Sequence, residues 1–207
     1  MTLSTWLAFF TASWLISLSP GAGAISCMSA GLRYGYRKAL WNILGLQAGI
    51  VVLVAIVALG LGAALATSVL AFNLIKWFGV AYLCWLGVQQ WRAPVQALTV
   101  TEAQVHAPRD LLLQGLLVNV SNPKGIIFML AVLPQFIDPA LPSLLQYLQA
   151  LATLCLTDLV VMSGYTLLAA RVLSVLRNPV HIRWLNRGFG ALFVAAGLLL
   201  AGFRRAV

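Results

Sequence analysis

The sequence predicts an all-α integral membrane protein: six transmembrane helices arranged as an inverted 3+3 repeat, with the first and fourth helices broken. Three observations lead to that class. Of 207 residues, 62% are hydrophobic and only 8% charged, whereas soluble domains carry about 25% charged residues. Six apolar runs near the length needed to cross a bilayer follow one another, and only helices satisfy their own backbone polar groups in such a bundle. The first and fourth runs each hold a proline and glycine cluster at the centre, where proline removes a backbone donor and ends a helix.

The first run, Leu3 to Gly31, contains Ser19-Pro20-Gly21-Ala22-Gly23. Its opening part, Trp6 to Leu18, has no basic segment before it and continues past signal-peptide length, so it reads as a retained span. The second run covers about Ala39 to Ala66 and the third about Val69 to Trp91. A polar loop from Arg92 to Asp110 follows. The fourth run, from Leu111 to near Phe136, is interrupted by Ser121-Asn122-Pro123-Lys124-Gly125. The fifth spans about Leu145 to Arg171 and the sixth Trp184 to Phe203. The division predicted is residues 1–92 as a first three-helix repeat, 93–112 as a cytoplasmic connecting loop and 113–207 as a second repeat. An odd number of spans per repeat inverts the second relative to the first, and matching breaks in corresponding helices point to a transporter with its site at those breaks.

Basic residues give the orientation. Arg33, Arg37, Lys38, Arg92, Arg109, Arg171, Arg177, Arg183 and Arg187 fall on one side; Lys76, in the 2–3 region, Arg204 and Arg205 fall on the other. By the positive-inside rule both termini then face away from the cytoplasm. The net charge of +9 is distributed between apolar runs in this way, so it implies a lipid bilayer as partner and no nucleic acid. Trp6, Trp77, Trp91 and Trp184, near run ends, read as interfacial anchors.

Within the spans, polar residues mark a pathway. Asp158, at the midpoint of the fifth run, has no other acid in any span. An isolated carboxylate there is costly unless protonated, paired or facing water. It reads either as a proton carrier or ammonium-binding group, or as a structural carboxyl bonded to a neighbouring helix. Met162 and Tyr165 share its helical face, with Tyr165 either capping the carboxyl or packing in the core. Lys124 either pairs with Asp158 or attracts a substrate carboxylate. The breaks add backbone chemistry. A restarted helix presents unsatisfied N–H groups and a positive dipole end, which suit a carboxylate, while the helix before it ends in free carbonyls, which suit an ammonium. Gly21, Gly23 and Gly125 let a ligand approach the backbone. Two opposed breaks, around Ser19-Pro20 and Asn122-Pro123, therefore suit a small zwitterion. Gly45 and Gly49 have the spacing for close helix approach, and Gln47 between them either serves packing or faces the cavity. Asn119 and Asn122 must face protein or water. Gln135, after Pro134, marks the end of the fourth run near the outer boundary.

These residues resemble the lysine exporter / homoserine-threonine resistance (LysE/RhtB) family of bacterial exporters, over essentially the whole chain. Ser19-Pro20-Gly21 is similar to the family's S/T-P-G-P motif and Asn122-Pro123-Lys124 to its N-P-K motif, followed by Leu133-Pro134-Gln135-Phe136. Gly79-x-x-Tyr82-Leu83-x-x-Leu86-Gly87 is similar to its third-helix pattern. Where the common version has Pro then Asn after the first glycine, this chain has Ala22 and Gly23. The resemblance implies export of small neutral amino acids, such as homoserine, homoserine lactone and threonine, across the bacterial inner membrane, by proton antiport. A homo-oligomer is compatible with it.

Other classes fit less well. A membrane thiol-redox carrier on a similar six-helix scaffold needs a dithiol at the breaks; Cys27 is near the first, but the fourth run has no cysteine. Cys27, Cys84 and Cys155 read as small buried hydrophobes. His106 and His181 lie in loops, and no cluster of metal ligands or activated nucleophile is present. The expectation is therefore no enzyme, no cofactor, no metal and no catalytic residue.

Overall fold

Each proline cluster ends one helix and starts another. In the computed structural model, which describes residues 1–67, 69–92, 107–138, 140–169 and 179–202, the first run is two helices, α1 (Leu3–Leu18) and α2 (Ala22–Tyr34), bent by 55° at the break. After Gly35 come α3 (Tyr36–Thr67) and α4 (Val69–Arg92). The fourth run is α5 (Pro108–Val120) and α6 (Pro123–Ile127), the latter continuing through a π-helical turn (Phe128–Val132) and a 3-10 turn (Leu133–Phe136). That pair is bent by 54°. Helices α7 (Ser143–Leu167) and α8 (Pro179–Gly202) complete the described chain. All regular structure among the described residues is helical.

Helix ends follow local chemistry. Thr2 caps α1 by accepting from the Thr5 N–H at 3.2 Å. Asn122 caps α6, its Oδ1 accepting from the Lys124 N–H at 3.1 Å, with Pro123 in the first position, where a missing N–H costs nothing. Gly35 joins α2 to α3 at φ +76°, a conformation natural to glycine. Gln146 closes the turn before α7: its amide donates to Asp138 O at 2.8 Å and accepts from the Asp138 N–H at 2.8 Å.

Two helices, α3 over Tyr36–Leu59 and α7, are long and apolar enough to cross a membrane; counting each bent pair as one span gives up to four among the described residues. Apolar side chains point outward along them, including Leu59 at 86% and Leu144 at 72% exposure. Such a surface suits acyl chains rather than water, and the chain is a multi-pass membrane protein.

Several sequence expectations shift. Helix α5 begins at Pro108, one turn inside the stretch 93–112 read as loop, because Asp110 caps its start by accepting from the Ala107 N–H at 3.1 Å. Lys76 lies within α4, in the third run as read, whereas His181, Arg183 and Arg187 belong to α8 and not to a loop, because that helix starts at Pro179. Residues 93–106, with Glu102 and His106, and Arg171, Arg177, Arg204 and Arg205 lie outside the described residues. Trp6 and Trp91 tie helices together. Trp6 Nε1 donates to Thr153 Oγ1 at 3.1 Å and Trp91 Nε1 to Arg187 O at 2.8 Å. Gln135 stands in the last helical turn of the fourth run, as expected, and is buried there.

Packing is set by glycine contacts. A Cβ on Gly45 would meet Leu112 O at 2.0 Å, one on Gly115 would meet Asn42 O at 2.1 Å, and one on Gly49 would meet Asn119 Cβ at 2.5 Å. Helices α3 and α5 thus cross backbone to backbone. Gly87 and Gly190 do the same for α4 and α8, each Cβ site lying 2.6–2.7 Å from the other's carbonyl oxygen. Around these crossings form two apolar clusters. One gathers Phe9, Ile50, Phe128, Met129, Phe136 and Leu154; the other Ala24, Cys27, Ile43, Leu46, Val161 and Met162.

Candidate functional site

Between the two apolar clusters lies a cavity of about 70 Å³, room for roughly five waters at 10–15 Å³ each. Its wall takes Ile50, Phe128, Met129 and Leu154 from one cluster and Ala24, Leu46 and Met162 from the other. Its polar lining comes from both helix breaks and from α7: Ser17, Ser19, Gly21 and Gly23 at the first break, Asn119, Asn122, Lys124 and Gly125 at the second, and Asp158.

The second break reaches into the first. Lys124 is the second residue of α6, at the positive end of that helix, and its Nζ donates to Ser19 O at 2.6 Å. Ser19 caps the C-terminal end of α1, where carbonyls lack intrahelical partners and the dipole is negative, so an ammonium is favoured there. Tyr165 Oη donates to the adjacent Leu18 O at 2.6 Å. Tyr165 therefore caps the end of α1, a role the sequence reading did not give it. The Ser19 hydroxyl itself, in a residue 2% exposed, has no hydrogen-bond partner.

Asp158 faces the same cavity from α7. Its Oδ2 accepts from Gln47 Nε2 at 2.8 Å, and Ser17 lines the same space. The other amide atom, Gln47 Oε1, is buried without a partner. Lys124 and Asp158 lie in each other's field across this space. Asn119 spans from the second break to α3, its Nδ2 donating to Leu46 O and its Oδ1 next to Gly125.

Of the residues singled out from the sequence, Ser19, Gly21, Gly23, Asn119, Asn122, Lys124, Gly125, Asp158 and Met162 line this cavity. Pro20 and Pro123 stand in the breaks and make them, while Gln47 reaches the cavity only through Asp158. Sequence reasoning missed Ser17, one helical turn before Gly21, and the apolar wall. It also missed Asn42, fully buried, which accepts from Ser26 Oγ at 3.1 Å and donates to Leu111 O at 3.3 Å, joining α2, α3 and α5. An asparagine in an apolar run was the available signal. The three cysteines are free thiols; Cys27 Sγ donates to Ala24 O at 3.2 Å, and no cysteine is among the described residues that line the cavity.

Comparison with known proteins gives the family. The chain is 44% identical to the homoserine/homoserine lactone efflux protein of Salmonella typhimurium over 206 residues, covering all of both chains. It is 43% identical to an uncharacterized membrane protein of Vibrio cholerae, covering 97% of this chain and 98% of that one. At 26% identity it is similar to a leucine efflux protein of an Enterobacter strain, over 96% of this chain and 95% of the relative. No solved structure matches. The LysE type translocator family matches residues 14–202. A broken-helix membrane protein with a mid-chain polar cavity, matched over nearly its whole length, this chain belongs to the LysE type translocator family.

Proposed function

We propose that this protein is a secondary active exporter of small neutral amino acids, homoserine, homoserine lactone and threonine among them, working by proton antiport across the bacterial inner membrane. The observation that carries the reading is the cavity itself: two helix breaks meet there, with Lys124 and Asp158 exposed to the same small volume. Both signs of charge beside apolar walls suit a zwitterion with a short side chain. The relatives' names, efflux proteins for homoserine and its lactone and for leucine, favour the same class.

The architecture in this proposal is six spans in two inverted sets of three. Bent pair, long helix and closing helix recur in order, as α1/α2, α3, α4 and then α5/α6, α7, α8. The reciprocal contact of Gly87 with Gly190 supports a two-fold relation between α4 and α8. Helices α4 and α8, 24 residues each, are long enough to span. Basic side chains at helix ends, Arg33, Arg37, Lys38 and Arg109 among them, favour termini on the periplasmic side. Substrate enters from the cytoplasm, and rocking of the two sets opens the cavity outward. Asp158 then takes a proton for the return, and the membrane potential adds about 2.3 kcal/mol per 100 mV for each net charge moved.

The test is uptake of labelled homoserine, threonine and leucine into inverted vesicles, with and without an imposed pH gradient. Uptake that requires the gradient supports antiport. Equal uptake after the gradient is collapsed would reject proton coupling, and no uptake above empty vesicles would reject export.

A further inference from the structure

The cavity treats the two ends of a zwitterion differently. The acceptor side of the first break is already engaged, Ser19 O by Lys124 and Leu18 O by Tyr165. The donor side is open. Helix α2, 13 residues long, starts after Gly21 with no side-chain cap, so the N–H groups of its first turn have no intrahelical partner. Just before that start stands Ser19, which lines the cavity and whose buried hydroxyl has no hydrogen-bond partner. The ammonium of Lys124 is close by, 3.7 Å from where a Gly21 Cβ would stand. Free donors, a positive dipole end and a cation therefore converge on one point. The start of α6 is different, because Asn122 Oδ1 already accepts from its Lys124 N–H. Negative character lies elsewhere in the cavity, at Asp158, with the unpartnered Gln47 Oε1 behind it.

We infer that the amino acid is held in one orientation, with its carboxylate at the uncapped start of α2 accepting from the Ser19 hydroxyl, and its ammonium at Asp158. This rests on the exporter reading and adds to it a carboxylate subsite at the first break. A lactone has the ammonium but no free carboxylate, so it engages only the Asp158 half and is an internal reference for the other.

The experiment measures KM for homoserine and for homoserine lactone in short uptake assays, using the full chain in inverted vesicles. Wild type is compared with Ser19→Ala, Ser19→Thr and Ala22→Pro. Ser19→Ala removes the hydroxyl and leaves no other group unpaired. Ala22→Pro removes the first N–H of α2 at the position where proline is best tolerated. Expected is a rise in the homoserine-to-lactone KM ratio of about tenfold for Ser19→Ala, the lower end for a hydrogen bond to a charged group. A smaller rise is expected for Ala22→Pro, and recovery for Ser19→Thr. If wild type moves both solutes and both Ser19→Ala and Ala22→Pro keep the wild-type ratio, the orientation is wrong and the exporter reading stands. If wild type moves neither solute, the exporter reading fails and the orientation falls with it.

Discussion

Replacing Gly115 by alanine tests whether backbone contact between α3 and α5 holds the site together. The added Cβ would lie 2.1 Å from Asn42 O and 2.9 Å from Leu46 N. Both are backbone atoms, which cannot swing away as a side-chain tip can. Ordinary contact begins at 3.4 Å, so the helices must part by about 1.3 Å at that point. Overpacking of this kind typically costs about 1–3 kcal/mol. The separation also breaks the Asn42 to Leu111 O bond, already 3.3 Å long, and strains the Asn119 bond to Leu46 O, at about 1 kcal/mol each. Alanine's better helix propensity returns up to about 1 kcal/mol. The net expectation is a loss of about 2–4 kcal/mol. Gly164→Ala and Gly188→Ala are the controls: nothing lies within 4 Å of either new Cβ, so propensity alone should stabilise them by up to about 1 kcal/mol. Unfolding midpoints of the purified chains in one detergent read the difference. Moving α3 also withdraws Gln47 from Asp158, so export should fall with stability in Gly115→Ala only. A Gly115→Ala protein as stable as Gly164→Ala would refute the backbone crossing.

Three further substitutions probe the polar contacts. Asp158→Asn keeps an acceptor for the Gln47 amide but removes the charge; export should drop at least about tenfold and lose its pH dependence, and wild-type rates across a range of pH would dismiss the proton-carrier role. Lys124→Met removes the ammonium from Ser19 O; the variant should accumulate in the membrane yet export less than about a tenth as well, from the 1.5–3 kcal/mol typical of a bond to a charged donor, and undiminished vesicle uptake would make that bond incidental. Gln146→Leu leaves the Asp138 N–H without its partner and takes one donor from the carbonyls of Asp138 and Leu141, the former keeping the Leu141 N–H; a loss of about 1–3 kcal/mol should lower the thermal midpoint, and an unchanged midpoint would mean that the turn before α7 contributes little.

What the sequence made legible was chemistry confined to a few neighbouring residues. Proline's missing N–H is a local fact, so the breaks at Pro20 and Pro123 could be placed to the residue, as could the close approach expected of Gly45 and Gly49. Pairings across the bundle were not legible. Lys124 meets Ser19 from 105 residues away, Tyr165 meets Leu18 from 147, and Gln47 meets Asp158 from 111. No periodicity encodes such distances. Sequence offers Lys124 only Asp158 or substrate as partners, and the structure adds the carbonyl end of α1. Asn42 was passed over for the same reason, since its role depends on Ser26 and Leu111 approaching from two other helices. Helix ends moved because capping outweighs composition: Asp110 starts α5 within a polar stretch.

The bond from Lys124 to Ser19 O also constrains how the breaks can move. A lysine in the first turn of α6 stands against the positive end of its own helix, an unfavourable place for a cation. Its position is understandable because the negative end of α1 lies 2.6 Å away. Each break thus offsets an electrostatic defect of the other, and this couples two segments far apart in the chain. Any motion that parts α1 from α6 gives up that bond, at about 1.5–3 kcal/mol, in surroundings walled by Ile50, Phe128 and Met129 rather than by bulk water. A carboxylate bound at the start of α2 is the kind of acceptor that can take over the ammonium as Ser19 O withdraws. Separation of the breaks is then cheaper for the loaded protein than for the empty one, the asymmetry an exporter requires if its cavity is to open mainly when occupied.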